Sequence, residues 1–322
     1  MGVFIFFCVP KNNFMNRLLH ELFKEGTKEM NEIRKPVVAG QFYDASEKEL
    51  KKTIEKCFTD KRGPGEISYI KNKGKNIIGV VVPHAGFIYS GPIAAYSYKE
   101  IFENGFAETF IILGPNHTGM GAEVATLTKG KWLTPLGEIK IDTDLAKKIC
   151  TGIINDDRAA HIQEHSIEVQ IPFLQYIGKN KKFRFVPITM GLQNIKTSEE
   201  VGEIIFNEIK DEEKKIVIIA SSDFSHVGFN YMTMPPEDMG VDEYAAKQDR
   251  IAIEKILDLD STGLIKKVGE ENISMCGYGP IATMINVAKK LGAKKAELLK
   301  YGTSYEVHPH SSCVGYGSIS VY

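Results

Sequence analysis

Near-continuous apolar runs of strand length, each closed by turn residues, recur along this 322-residue chain. They are IIGVVVP (77–83), TFIILGP (109–115), FRFVPITMG (183–191), KIVIIAS (215–221), ELLKYGTS (297–304) and VGYGSISVY (314–322). A strand that is apolar at successive positions, rather than at alternate ones, has to be covered on both faces. Between the runs lie segments of helical pattern, such as EKELKKTIEKCF (47–58), TDLAKKIC (143–150), EEVGEIIFNEIK (199–210), EYAAKQDRIAIEKILDLD (243–260) and GPIATMINVAKKLGA (279–293). This alternation predicts an α/β fold, a mostly parallel or mixed central sheet with helices on both faces. KRGPGE (61–66) and TMPPEDMG (233–240) read as loops and not as domain linkers, so residues 30–322 read as a single domain. The opening MGVFIFFCVP is too short an apolar stretch to span a bilayer, and it lacks the basic flank and cleavage site of a signal peptide. Regular patterning starts after Met30. Residues 1–29 therefore read as a poorly packed N-terminal extension, with Met30 as an alternative start.

Charge narrows the partners. Forty basic against 41 acidic residues leave a net charge of -1, which is no electrostatic footprint for nucleic acid or an anionic membrane surface. The five cysteines are an odd number, scattered and without a C-x-x-C pair, so neither a disulfide framework nor a zinc ribbon is indicated. A reducing, cytoplasmic location is the expectation.

Chemistry collects where the strands end. VVVPHAG puts His84 just past one strand, FIILGPNHTG puts His117 past another, and IVIIASSDFSH puts Asp223 and His226 past a third. Parallel strands deliver such loops to one edge, where open α/β sheets bind their ligands. Turn chemistry explains the serines and the aspartate of ASSDFSH, but it does not call for a histidine. Three of eight histidines at equivalent strand ends predict a shared site. In SMCGYGP (274–280), Cys276 sits at the start of a helix, a position that lowers a thiol's pKa and suits a metal ligand or a reactive thiol. Cys57 and Cys150 read as helix-face core.

HIQEHSIEVQIPFL (161–174) is ambiguous. Its first five residues match the H-x-x-E-H string of inverted zinc peptidases, with His161 and His165 chelating zinc from one helix face and Glu164 as base. Pro172 limits any helix that follows. In the other reading EHSIE caps a helix, with His165 facing the cleft and Glu164 and Glu168 near the positive dipole end. His308 and His310 read as loop residues.

Together PVVAGQFY (36–43), PHAGFIYSG, ILGPNH, TPLGEI (134–139), EHSIEVQIPFL, SSDFSH and CGYGP, in this order, resemble the Memo family. The resemblance covers nearly all of the chain after Met30. It implies a fold like that of class III extradiol dioxygenases, which hold non-haem Fe(II) with two histidines and a glutamate. It places His84 and His117 in the histidine positions and Cys276 in that of the glutamate. Asp223, His226 and His165 resemble acid/base or substrate-orienting residues of the same cleft. Family members are described as metal-binding, with iron- or copper-linked redox chemistry. Animal members are described as cytoplasmic effectors that bind phosphotyrosine peptides, and microbial relatives are associated with radical-SAM and AMMECR-type proteins.

Three functions follow as expectations. The first is a metal-dependent oxidoreductase using Fe(II) or Cu, with Zn as a further candidate because a thiolate is softer than a carboxylate. His84, His117 and Cys276 would hold the metal, His226 would carry a proton, and Asp223 would fix the His226 tautomer or contact the metal. The second is a non-enzymatic module that binds a phosphopeptide, another partner or a small molecule in the same cleft, the loops FNYMTMPPED and TSYEVHPHSSC forming its rim. The third is a zinc hydrolase built on His161, Glu164 and His165.

Overall fold

The structure, a computed structural model, describes residues 33–67, 74–179 and 181–322. The N-terminal extension assigned from the sequence to residues 1–29 lies outside the described residues. From Ile33 to Tyr322 the chain packs around one core.

In chain order the strands are β1 (Ile33–Arg34), β2 (Gly79–Val82), β3 (Thr109–Pro115), β4 (Val124–Thr126), β5 (Lys131–Thr134) and β6 (Gly137–Lys140). They continue with β7 (Asn155–Asp156), β8 (Arg184–Met190), β9 (Ile216–Ser221), β10 (His226–Gly228), β11 (Ala296–Thr303) and β12 (Ser312–Val321). The main sheet runs β10-β12-β2-β9-β3-β8-β4-β7, with β11 on the other side of β12. Its centre, β2-β9-β3-β8, is parallel, and antiparallel strands flank it. The sheet is thus mixed around a parallel middle, as the apolar runs predict. Val80–Val82, Phe110–Leu113 and Val217–Ala220 are fully buried, because helices cover both faces. Strands β1, β5 and β6 form a separate small sheet.

Three of the described α-helices begin where a side chain satisfies a free N–H group of the first turn. Asp142, Asn194 and Asp260 accept from the backbone N–H of Leu145, Thr197 and Gly263. Each such cap is worth about 1 kcal/mol. The Glu47–Thr59 helix buries Leu50, Ile54, Cys57 and Phe58, one stripe at helical spacing. The Phe87–Glu103 helix has no such stripe in the sequence, because it is buried on most sides. Gly91 lets it approach the first helix closely, since a Cβ there would stand 2.5 Å from the Cys57 sulfur. Pro92 has no N–H for the Ile88 carbonyl, and Arg62 Nη2 donates to that oxygen instead at 3.2 Å. Among the described residues no helix is long and apolar enough to cross a membrane.

The Val241–Leu257 helix sets Asp249 beneath the turn that follows β9. Its carboxylate is fully buried and accepts from Ser225 N–H and from the Tyr301 hydroxyl, both at 2.7 Å. Burial pushes its pKa up to about 6, and those two hydrogen bonds only partly oppose the rise. The folded state then binds the proton more tightly than the unfolded chain does. Stability from this group falls as pH rises from the ordinary carboxylate range to about 6, and is flat above. Asp249→Asn is expected to remove a fall of roughly 3 kcal/mol over that window, measured by urea unfolding at successive pH values.

Candidate functional site

Parallel register fixes where the loops carrying the candidate residues meet. Val82 pairs with Ser221, and Pro115 pairs with Met190, so these strands end at one level. His84, His117 and Asp223 each lie two residues beyond such an end. Cys276 comes to the same edge just ahead of the Tyr278–Lys290 helix. The donor atoms of His84, His117 and Cys276 all lie within 4.8 Å of one another, and His84 Nε2 is 3.3 Å from Cys276 Sγ. The His84 ring stands edge-on to those of His117 and His165, with centroids 5.2 and 5.6 Å away.

Hydrogen bonding assigns the His84 tautomer. Gln170 Nε2 donates to the Pro83 carbonyl (3.0 Å) and to Ser221 Oγ (2.8 Å). Ser221 Oγ gives its only proton to the Ser166 carbonyl at 2.7 Å. At 2.8 Å from that oxygen, His84 Nδ1 must therefore be the donor. The lone pair of Nε2 then faces Cys276. Behind this chain the Tyr98 hydroxyl donates to Gln170 Oε1 while its ring stacks on Phe173 at 4.6 Å. Burial holds the His84 pKa well below the ordinary value, so the ring is neutral, the form that ligates metals.

His117 is held differently. Glu164 accepts from the His117 backbone N–H, and its Oε1 lies 3.0 Å from His117 Nδ1. The same carboxylate takes the N–H groups of His165 and Ser166, both at 2.8 Å. Burial pushes Glu164 up, but the bonds and charge at His117 prevail and hold it well down. Burial likewise lowers His117, and its contacts with Cys276 and Glu164 outweigh that and raise it. His165 stacks on His117 with centroids 4.9 Å apart and is closed in by the edge of Phe42. Burial holds His165 down at about 4, the attraction of Glu164 notwithstanding.

Asp223 spends one oxygen on the N–H groups of His84 (2.7 Å) and Ala85 (3.2 Å). Burial raises its pKa to about 7 against those bonds. It does not fix the His226 tautomer, contrary to the expectation from sequence. The Ser274 carbonyl does, accepting from His226 Nδ1 at 3.0 Å and leaving Nε2 as an acceptor. Cys276 is also corrected. Its thiol pKa is raised, because burial outweighs the favourable contact with His117 that lowers it. Gln193 holds this turn by donating to the Cys276 carbonyl (2.9 Å) and accepting from Gly279 N–H (2.8 Å). Cys57 is core, whereas Cys150 is half-buried at a helix end. His308 and His310 are exposed loop residues.

The zinc-peptidase string does not assemble. Its helix spans only Ala159–Ile162, so His161 and His165 share no helical face. His161 is fully buried against Trp132, and among the described residues it joins no group of metal-capable side chains. The helix-cap reading holds in part: His165 faces the cleft, Glu164 accepts from the N–H groups of His165 and Ser166, and Glu168 stands in the first turn of the short Glu168–Gln170 helix. Glu164 binds His117, while Glu168 is buried in an ion pair with Arg34 at 2.7 Å. Glu168 also accepts from the Tyr43 hydroxyl at 2.6 Å and from the N–H groups of Val37 and Val38. Arg34 in turn donates to the carbonyls of His161 and Glu164 and lies over Trp132, 4.1 Å from the ring centroid. The chain's first described segment is thereby tied to the loop that carries Glu164 and His165. Removing one member of such a buried pair typically costs about 3–5 kcal/mol.

Ser221→Ala is expected to leave His84 Nδ1 without its acceptor. In ¹⁵N-histidine NMR of metal-free protein, the Nδ1–H form of His84 should dominate in the wild type and give way to a tautomer mixture in the variant.

Comparison with known proteins agrees with this architecture in extent. A family profile described as Memo-like protein matches residues 34–320. A MEMO1 family protein of Methanopyrus kandleri is 46% identical over 289 residues, covering 89% of this chain and 98% of the relative. Another, from Methanothermobacter thermautotrophicus, is 42% identical over 291 residues, covering 89% of this chain and all of the relative. A solved structure of an uncharacterized protein from Escherichia coli K12 overlaps at a TM-score of 0.46 with 9% identity, covering 76% of this chain and 99% of that one. That last likeness is too slight to bear on the fold or the site. The match over residues 34–320 and the identity across nearly the whole length of the relatives make this chain a member of the Memo-like protein family.

Proposed function

We propose that the chain is a metal-dependent redox protein whose metal is held by His84, His117 and Cys276. One observation carries the reading: three donor atoms of ligand type lie within 4.8 Å of one another, while both histidines direct Nδ1 to a partner of their own. The donor set fits a borderline or soft transition metal, since two imidazoles and a thiolate favour iron, copper or zinc over magnesium or calcium. Bound iron or copper would supply one-electron chemistry and coordination positions for substrate and O₂.

The protein's own groups divide the remaining work. Glu164 orients His117 and raises its basicity as a ligand, and the Ser221–Gln170 pair orients His84 with neutral groups. Asp223, with a pKa of about 7, can hold or release a proton near neutral pH. His226 is neutral by burial, with Nε2 free to accept a proton from a substrate hydroxyl. Phe42 shields His165 from one side and limits water there.

The test is metal titration of anaerobically purified protein with Fe(II), Cu(I) and Zn(II), followed by elemental analysis and calorimetry. One metal per chain is expected in the wild type and none in His117→Ala. Glu164→Gln should weaken affinity about 10–100-fold, as loss of a ligand-orienting carboxylate does. His226→Ala should keep full affinity and slow only turnover. Stoichiometric metal in both His84→Ala and His117→Ala would sink the assignment and leave a metal-free binding cleft as the better account.

A further inference from the structure

Among the described residues six large apolar side chains are exposed, and four of them come from one short stretch: Phe229, Tyr231, Met232 and Met234. Phe229 is 76% exposed, Met232 91% and Met234 62%. Their loop is anchored at its base. Gly228 N–H donates to the Thr233 carbonyl (2.7 Å), and Asn230 N–H donates to Ser312 Oγ (3.1 Å). Gly228 has a φ of 106°, and a Cβ there would stand 2.2 Å from the Ser311 carbonyl oxygen. At the tip, Met232 takes a left-handed φ of 55°, unfavourable for a side-chain-bearing residue. A fixed loop thus holds its apolar side chains outward.

The inner member of the loop reaches the cleft. Tyr231 packs edge-on to His226 with ring centroids 5.0 Å apart. Ile88, 67% exposed, stands in the first turn of the helix that follows His84. Beyond Pro235 and Pro236 come Glu237, Asp238, Asp242 and Glu243, with no lysine or arginine between His226 and Lys247. None of these four carboxylates has a hydrogen bond or ion pair through its side chain among the described residues. The apolar loop therefore adjoins four acidic side chains, with Lys247 one helical turn beyond Glu243.

We propose that residues 229–243 are a docking surface for a segment of another protein that carries both large apolar and basic side chains, seated across the mouth of the cleft. A projecting loop offers a small molecule no concavity, so only another macromolecular surface can cover these side chains. A second copy of this chain does not suit it. A two-fold contact sets the same patch against itself, and four carboxylates would meet four carboxylates with no cation in either loop. An anionic membrane is repelled by the same charge. Docking itself does not depend on the metal centre. Only the consequence, that the reacting group is presented on a protein, rests on the function proposed above.

The probe is a short fluorescent peptide of lysine and leucine patterned as an amphipathic helix, with a glutamate–leucine counterpart, read by anisotropy on the full chain. The lysine–leucine peptide should bind, and Met232→Ser/Met234→Ser should weaken it about tenfold or more. Glu237→Gln/Asp238→Asn and added salt should each weaken it as well. His117→Ala, expected to lose metal, should bind the peptide as the wild type does, so the docking surface and the metal site can fail separately. Equal binding of the glutamate–leucine peptide, or unchanged binding in the Met232/Met234 variant, overturns the proposal. So does a concentration-dependent dimer in sedimentation, or pelleting with phosphatidylcholine–phosphatidylglycerol vesicles, if the Met232/Met234 substitutions abolish it.

Discussion

Parallel hydrogen bonding between β2, β9, β3 and β8 is the constraint on which the rest depends. Side chains on these strands are buried on both faces, so a slip of register would disturb both helical layers at once. Fixed register makes the strands end together, and the residues two positions beyond those ends meet although the sequence keeps them far apart. His84, His117 and Asp223 owe their proximity to this pairing and to nothing local. Cys276 joins them only because the Tyr278–Lys290 helix packs against the same sheet and Gln193 clamps its first turn.

Around that edge the polar groups form two unlike supports. His84 rests on neutral donors and acceptors running from Tyr98 through Gln170 to Ser221. His117 rests on a buried carboxylate. The two imidazoles are therefore different as donors, one plain and one made more basic by Glu164. The Arg34–Glu168 pair matters for the same reason. It holds the loop carrying Glu164 and His165 from behind, although Arg34 lies about 130 positions before that loop.

Much of the architecture was legible along the chain. Strands that are buried on both faces read as unbroken apolar runs, and β3, for one, spans Thr109–Pro115 as its pattern indicates. Helices with one buried face were legible too, as in Glu47–Thr59. The Phe87–Glu103 helix was not, because a helix enclosed on most sides loses the polar stripe that marks its period, and Gly91 and Pro92 imitate a turn. The pattern over 243–260 overran its helix, Val241–Leu257, by three residues, and the next helix, Ser261–Glu270, went unread beyond a turn with Leu259 in left-handed backbone. His161 misled for another reason. A short metal-binding string can be matched without the helix that would give it meaning.

By itself the sequence determined the α/β class, the strand ends as the place where candidate ligands gather, and the residue types His84, His117, Asp223, His226 and Cys276 that stand there. Those follow from periodicity and turn residues, which are local properties. Only the tertiary structure decided what each group is bonded to. It gave Glu164 to His117, Ser221 to His84 and the Ser274 carbonyl to His226, and it raised the Cys276 thiol where a helix start alone would have lowered it. Hydrogen-bond partners and desolvation depend on which distant segments close over a residue. No local pattern carries that information.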